Sequence, residues 1–163
     1  MPTKINPFLW FDHQAEDAAR FYCAIVKDSR IVAISRYPDA GQEVHGKPSG
    51  SVMTVNFELN RQPFTALNGG PVFKFNEAVS FQIQCETQQE VDYYWDRLSE
   101  GGDPQAQQCG WLKDKFGLSW QIVPRVLLEL LNDPDTAKSQ RVFRAIMNMK
   151  KLDIEGLQRA FAG

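Results

Sequence analysis

An internal repeat constrains this chain more than any other feature. Adding 73 to the numbering places Phe8 on Phe81, Trp10 on Ile83, Phe21 on Tyr94 and Tyr22 on Trp95. Both halves then read strand, helix with a double aromatic, and β meander. Residues 5–11 are short, apolar and aromatic, as a strand is. Asp12 follows as an expected N-cap, and Ala15, Ala18, Ala19, Tyr22, Cys23 and Val26 recur at helical spacing. Further strands are expected at 31–37, 52–59 and 64–67, with a Pro/Gly loop over 38–50 and a hairpin turn at 60–62. The second half opens on 78–85, whose alternation marks a half-buried strand. Thr87-Gln88-Gln89-Glu90 fits a capping box. The helix it starts carries Val91, Tyr94, Trp95 and Leu98 on one face and stops at Gly101-Gly102. Two or three short strands run on to Val123, and Pro124 ends the unit.

The pattern predicts an α+β fold of tandem βαβββ modules. Their curved mixed sheets would enclose a cleft, the natural place for a ligand. The 163 residues fit a single domain, with module one at 1–72, module two at 76–124 and a helical tail at 125–163. In the tail, Val126 to Leu131 is apolar, and Val142, Ala145, Ile146 and Met149 make an amphipathic stripe. Asp153 is the expected N-cap of a last short helix.

Composition narrows the function. Apolar residues make up 43% and charged residues 23%, enough for a core and too apolar for disorder. The net charge of −2 argues against a dedicated nucleic-acid binder. No apolar run approaches the roughly 18 residues of a membrane span, and the first residues lack a basic-then-apolar leader. Cys23, Cys85 and Cys109 are an odd count with no C-x-x-C, so no disulfide framework is expected and a cytoplasmic setting is. Residues 136–163 hold six bases and two acids. Such a stretch is either a solvated helix face or, through Lys138, Arg141 and Arg144, a dock for a protein partner.

Two longer stretches resemble a known family. Pro7-Phe8-Leu9-Trp10-Phe11-Asp12 with Ala15-Glu16 and Phe21-Tyr22, and the block from Cys109-Gly110-Trp111 through Asp114, Gly117 and Trp120 to Pro124, are similar to the PhnB-like branch of the glyoxalase/bleomycin-resistance/extradiol-dioxygenase (vicinal oxygen chelate) superfamily. Met149-Lys150-Lys151-Leu152-Asp153-Ile154 fits the same branch. The resemblance implies paired βαβββ modules and a homodimer. It also implies a divalent metal held from the first and last strands of each module. Counting back 14 from the aromatic pairs gives Pro7 and Ser80; the last-strand positions are Gln121 and the stretch 66–68. Proline has no ligand atom, and hydroxyl and amide groups are weak donors beside His and carboxylates. The usual metal is therefore expected to be lost, and no cofactor is expected. That puts glyoxalase-type isomerisation and extradiol cleavage in doubt, since both need the metal. Such proteins are sometimes labelled demethylubiquinone methyltransferases, yet no glycine-rich strand-to-helix turn for a nucleotide-type cofactor is visible.

The candidate cup-lining residues are Leu9, Phe11, Asn68, Ser80, Gln82, Trp111 and Gln121. Amides, a hydroxyl and apolar groups suit a neutral polar or aromatic small molecule. Cys109, with Lys113 further along, is the weak nucleophile candidate; a small buried hydrophobe is the plainer reading. Asn68, Gln121 and Glu58 are the alternative if an atypical metal binds. His13 and His45 fit surface, capping or loop roles, and no Ser/His/Asp triad can be assembled. Trp95 reads as core, and Trp111 as the ligand-facing tryptophan among Trp10, Trp95, Trp111 and Trp120.

Overall fold

The computed structural model describes residues 5–163. The chain divides between Lys74 and Phe75 into two compact units. The first holds β1 (Phe8–Phe11), α1 (Ala15–Ile25), β2 (Arg30–Arg36), a single turn α2 (Gln42–His45), β3 (Val52–Leu59) and β4 (Gln62–Asn68). Its sheet runs β1-β4-β3-β2, with β1 parallel to β4 and the other pairs antiparallel. The hairpin between β3 and β4 turns on Asn60 and Arg61, with φ of 47° and 64°. Two consecutive left-handed residues make the turn whose twist suits adjoining strands.

α1 covers one face of this sheet. Ala15, Ala18 and Ala19 are fully buried, and Tyr22 stacks over Phe57, which stacks on Phe64. Leu9, Phe11, Val55, Leu59 and Ala66 complete this core. Leu9 and Phe11 are only 6% and 3% exposed, so the expectation that they line a cup is overturned. Residues 12–14 separate β1 from α1, whereas only residues 86 and 87 separate the matching strand and helix of the second unit. The helices are thus offset by 73 but the strand ends by 74. A one-residue slip reverses every side chain on a strand. Phe8, 60% exposed, and Trp10 therefore occupy the open face, and Leu9 and Phe11 the core.

The expected Asp12 cap is also corrected. Gln14 holds the N-cap position and makes no side-chain cap bond. The Ala15 N–H instead donates to Asn68 Oδ1 at 2.8 Å, and Asn68 Nδ2 donates to the Val52 carbonyl at 3.1 Å. Asn68 thus ties helix, β3 and β4 together, and both ends of its amide are already bonded.

The second unit holds β5 (Ser80–Cys85), α3 (Gln88–Ser99), β6 (Trp111–Lys113), β7 (Ser119–Pro124), α4 (Val126–Leu131), α5 (Thr136–Met147) and α6 (Ile154–Ala162). The sheet order is β5-β7-β6, with β5 parallel to β7. Its meander has two strands, one fewer than the first unit's. Residues 101–104, Gly-Gly-Asp-Pro, resist a strand, and Pro104–Ala106 form a 3-10 turn capped by Asp103. α3 starts at the Thr87 cap, whose hydroxyl accepts from Glu90 N–H, while Glu90 reaches back to Glu86 N–H. Its buried Val91, Trp95 and Leu98 lie over the core face of the sheet, where Cys85, Leu112, Trp120 and Ile122 are buried.

The tail helices bury Leu127, Val142, Ile146, Leu152 and Leu157 against Val123 of β7. Asp153 caps α6 as expected, accepting from Gly156 N–H. Most of the tail's basic charge is engaged within the unit. Arg141 donates to the Ala160 and Phe161 carbonyls at the end of α6, and Lys151 pairs with Asp92 and Asp96 of α3. Arg159 pairs with Glu155, and Lys138 sits 5.1 Å over the Phe161 ring. A partner dock through Lys138, Arg141 and Arg144 would have to do without Arg141, which holds the tail shut. No helix among the described residues is long and apolar enough to cross a membrane.

Candidate functional site

The face of the second sheet opposite α3 gathers four of the expected residues. β5 and β7 run parallel in a register that sets Ser80 beside Ser119 and Gln82 beside Gln121. β6 sets Trp111 beside Gln121 and Lys113 beside Ser119. Period-2 alternation then brings Ser80, Gln82, Gln121, Ser119, Trp111 and Lys113 onto one face. Gln121 Nε2 donates to Ser80 Oγ at 2.8 Å, and Gln82 Nε2 approaches Gln121 Oε1 at 3.4 Å. The three side chains form a chain of donors and acceptors across the sheet, with Trp111 flanking it.

A cavity of about 340 Å³ opens next to this line. Trp111, Leu112, Ala106 and Cys109 give it apolar walls, and Ser119, Lys113 and Glu77 give it polar groups. Lys113 Nζ forms an ion pair with Glu77. The hydrogen bond from Lys113 holds the Glu77 carboxyl below its usual range. Glu77 had no sequence signal, because its irregular segment has no periodicity to point it anywhere.

The Gly-Trp-x-x-Asp-x-x-Gly-x-x-Trp block is the scaffold of this corner. Gln108 and Trp111 exchange two backbone hydrogen bonds across Cys109 and Gly110, whose φ values are 53° and 84°. A Cβ on Gly110 would meet Leu152 Cδ1 at 2.9 Å and the Ile122 carbonyl at 3.1 Å, so only glycine fits. Asp114 is 2% exposed and accepts from the Phe116 and Leu118 N–H groups and from the Trp120 indole at 2.9 Å. It folds the turn to Ser119 and so aims β7.

Cys109 sits on the hairpin tip, not on a strand. Its N–H donates to the Met149 carbonyl, and its sulfur lies by Met147 and the Gln108 amide, packed against the tail core. Lys113 is engaged with Glu77, so the charge that a reactive thiol would need is spent elsewhere. Burial pushes the Cys23 thiol up, and burial with the nearby Glu90 charge pushes Cys85 up to about 12. Both are biased towards the neutral thiol.

The first unit has its own hollow of about 400 Å³, lined by His13, Tyr37, Lys47 and Asn68 among others. His13 is 75% exposed and pairs with Asp12. His45 lies against Tyr37 and its Nδ1 accepts from Lys47 N–H, a loop-organising role. Trp10 donates to the Gly70 carbonyl and meets Phe73 edge-on. Trp95 and Trp120 are core, at 6% and 3% exposure.

The metal positions do not suit a divalent ion. Ser80 already accepts a hydrogen bond from Gln121, Asn68 is bonded at both ends, and Pro7 offers no side-chain donor. Glu58 is paired with Arg30 through two contacts. Among the described residues no three His, Cys, Asp or Glu side chains cluster as metal ligands would.

The layout defines a protein of the glyoxalase/bleomycin-resistance fold class. The described fold matches a fosfomycin resistance protein, FosX, from Listeria monocytogenes at TM-score 0.54 and 12% identity, covering 82% of this chain and 99% of that one. It matches protein PA1353 from Pseudomonas aeruginosa at TM-score 0.58 and 18% identity, covering 76% and 98%. A PhnB protein from Bacillus cereus, provisionally designated a 3-demethylubiquinone-9 3-methyltransferase, is similar at 34% identity and TM-score 0.65, covering 75% of this chain and 99% of that one. The family model described as 3-demethylubiquinone-9 3-methyltransferase matches residues 3–123, and the chain belongs to this PhnB-like family. No curated protein matches.

Proposed function

We propose that this chain is a small-molecule binding protein whose ligand is recognised without the divalent metal usual for the fold class. The observation that carries this is the Ser80–Gln121–Gln82 line beside Trp111 on the open face of the second sheet. Such a line offers donors and acceptors to a polar group, and the indole offers a flat apolar surface. The donor set at the metal positions supports the metal-free part of the reading. A homodimer and a cytoplasmic setting belong to the same proposal. An exposed Phe8 and a half-buried Trp10 on the open face of the first sheet are surface that a second copy would cover.

Native mass spectrometry of protein purified without chelator tests the proposal. A chain carrying an organic adduct of a few hundred daltons, lost in a Trp111→Ala, Gln121→Ala variant, supports it. One tightly held divalent metal per chain overturns the metal-free reading. A bare chain that also fails to bind any member of a broad metabolite panel overturns the binding reading itself.

A further inference from the structure

We infer that the cavity beside Trp111 takes a small organic anion, an aryl or similarly flat carboxylate, and that Glu77 is a built-in occupant which such a ligand displaces from Lys113. The inference rests on the binding role proposed above and names the ligand class for that site.

Lys113 stands at the wall of a cavity whose other walls are largely apolar, and its side chain is only 24% exposed. A half-buried ammonium in such a place favours a carboxylate partner, which offsets part of its lost hydration. The chain supplies one from within, Glu77, and thereby shows that the position accepts a carboxylate. Glu77 is itself poorly held. It is 61% exposed, and it belongs to a segment outside any helix or strand, two residues before an exposed Val79. An exposed ion pair gains little, because solvent screens it and holding the side chain costs entropy. A ligand carboxylate would make the same contact to Lys113 and add apolar burial that Glu77 does not supply.

The strand sets the ligand's dimensions. Trp111 and Lys113 are two residues apart on one face of β6, a separation of about 7 Å along the strand. A carboxylate on Lys113 therefore places a ring on Trp111 when one to three atoms link them. The cavity of about 340 Å³ lies at the small end of ligand sites, which suits one or two rings. Gln121, directly across from Trp111, has its amide engaged with Ser80 and Gln82, so the ring is left to Trp111 and the apolar walls.

The test is a titration of the full chain followed by 1H–15N NMR, with the Trp111 indole assigned from a Trp111→Phe variant. The probes are benzoate, phenylacetate, 3-phenylpropionate and indole-3-acetate, each beside its neutral amide. The expected result is that at least one acid shifts the Trp111 indole and binds about tenfold or more tightly than its amide. Glu77→Ala should tighten the acid several-fold and leave the amide unchanged, and Lys113→Met should erase the preference for the acid. Glu86→Gln, at the exposed pair with Arg125, should leave acid affinity as it was and so controls for net charge. Amides binding as well as acids, or Glu77→Ala weakening the acid, overturns the inference while the binding role stands. If no probe of either kind perturbs Trp111, the inference falls on its own, since the binding role is decided by the adduct and the metabolite panel.

Discussion

At the residue scale the most consequential side chain is one that touches no ligand. Asp114 is buried, and its two oxygens serve two backbone N–H groups and the Trp120 indole. Asp114→Ala leaves those buried donors without partners, each costing roughly 1–3 kcal/mol. The expected loss is about 3 kcal/mol or more, read from the urea midpoint, with Asp114→Asn falling between it and the parent. A midpoint unchanged in Asp114→Ala would refute this account of the turn. The thiols make a second residue-level prediction. In native protein at pH 8, Cys85 should react with a disulfide reagent far more slowly than Cys109, because Cys85 is buried and its pKa lies near 12. The three thiols should react alike in urea. The sequence did display Asp114 within a recognisable block, but not its purpose: spacing places a carboxylate there and does not show that an indole six residues on will need it.

At the element scale, strands and helices were legible because hydrophobic period depends only on neighbours in sequence. β3 and α3 fall where the pattern places them. The face of β1 was not legible, because it depends on whether two or three residues join strand to helix, and a repeat found by matching aromatics hides that difference. Leu9→Ala should therefore cost about 2–4 kcal/mol, as truncation in a packed core does, while Phe8→Ala on the open face should cost under about 1 kcal/mol. Equal losses would restore the other parity. The cap of α1 was hidden for a similar reason: Asn68 lies 53 residues from the N–H it serves. For the candidate site, Ser80, Gln82, Trp111 and Gln121 were readable because one sheet's alternation and register bring them together. Glu77 was not, since its role depends on the path of a loop.

At the scale of the whole molecule, the shifted groups define how stability should vary with pH. Hydrogen bonds from Lys151 and Gln88 hold Asp92 below its usual range, and Lys113 does the same for Glu77. A carboxyl with a lowered folded pKa contributes stability that is present above its unfolded pKa, about 4, and is lost as pH falls through the folded value. The acid limb should then set in as pH falls below about 5. On the alkaline side the thiols act in the opposite sense. Cys85 and Cys23 are raised by burial, so their neutral forms favour the fold fully below the unfolded thiol pKa of about 8.5. That contribution is lost as pH rises from there towards the folded values, which for Cys85 is about 12. Lys151, raised by its bond to Asp92, keeps its share until pH passes its own usual value of about 10.4 and is approaching the folded one. Urea midpoints should form a plateau from about pH 5 to about pH 8, with a fall on each side. Cys85→Ala should blunt the alkaline fall without moving the acid one, whereas Lys151→Met should blunt the acid fall, because Asp92 loses the ammonium that holds it down, and should also remove the loss beyond about pH 10.4. A midpoint that keeps rising above pH 9 would show that the buried thiols do not govern that limb.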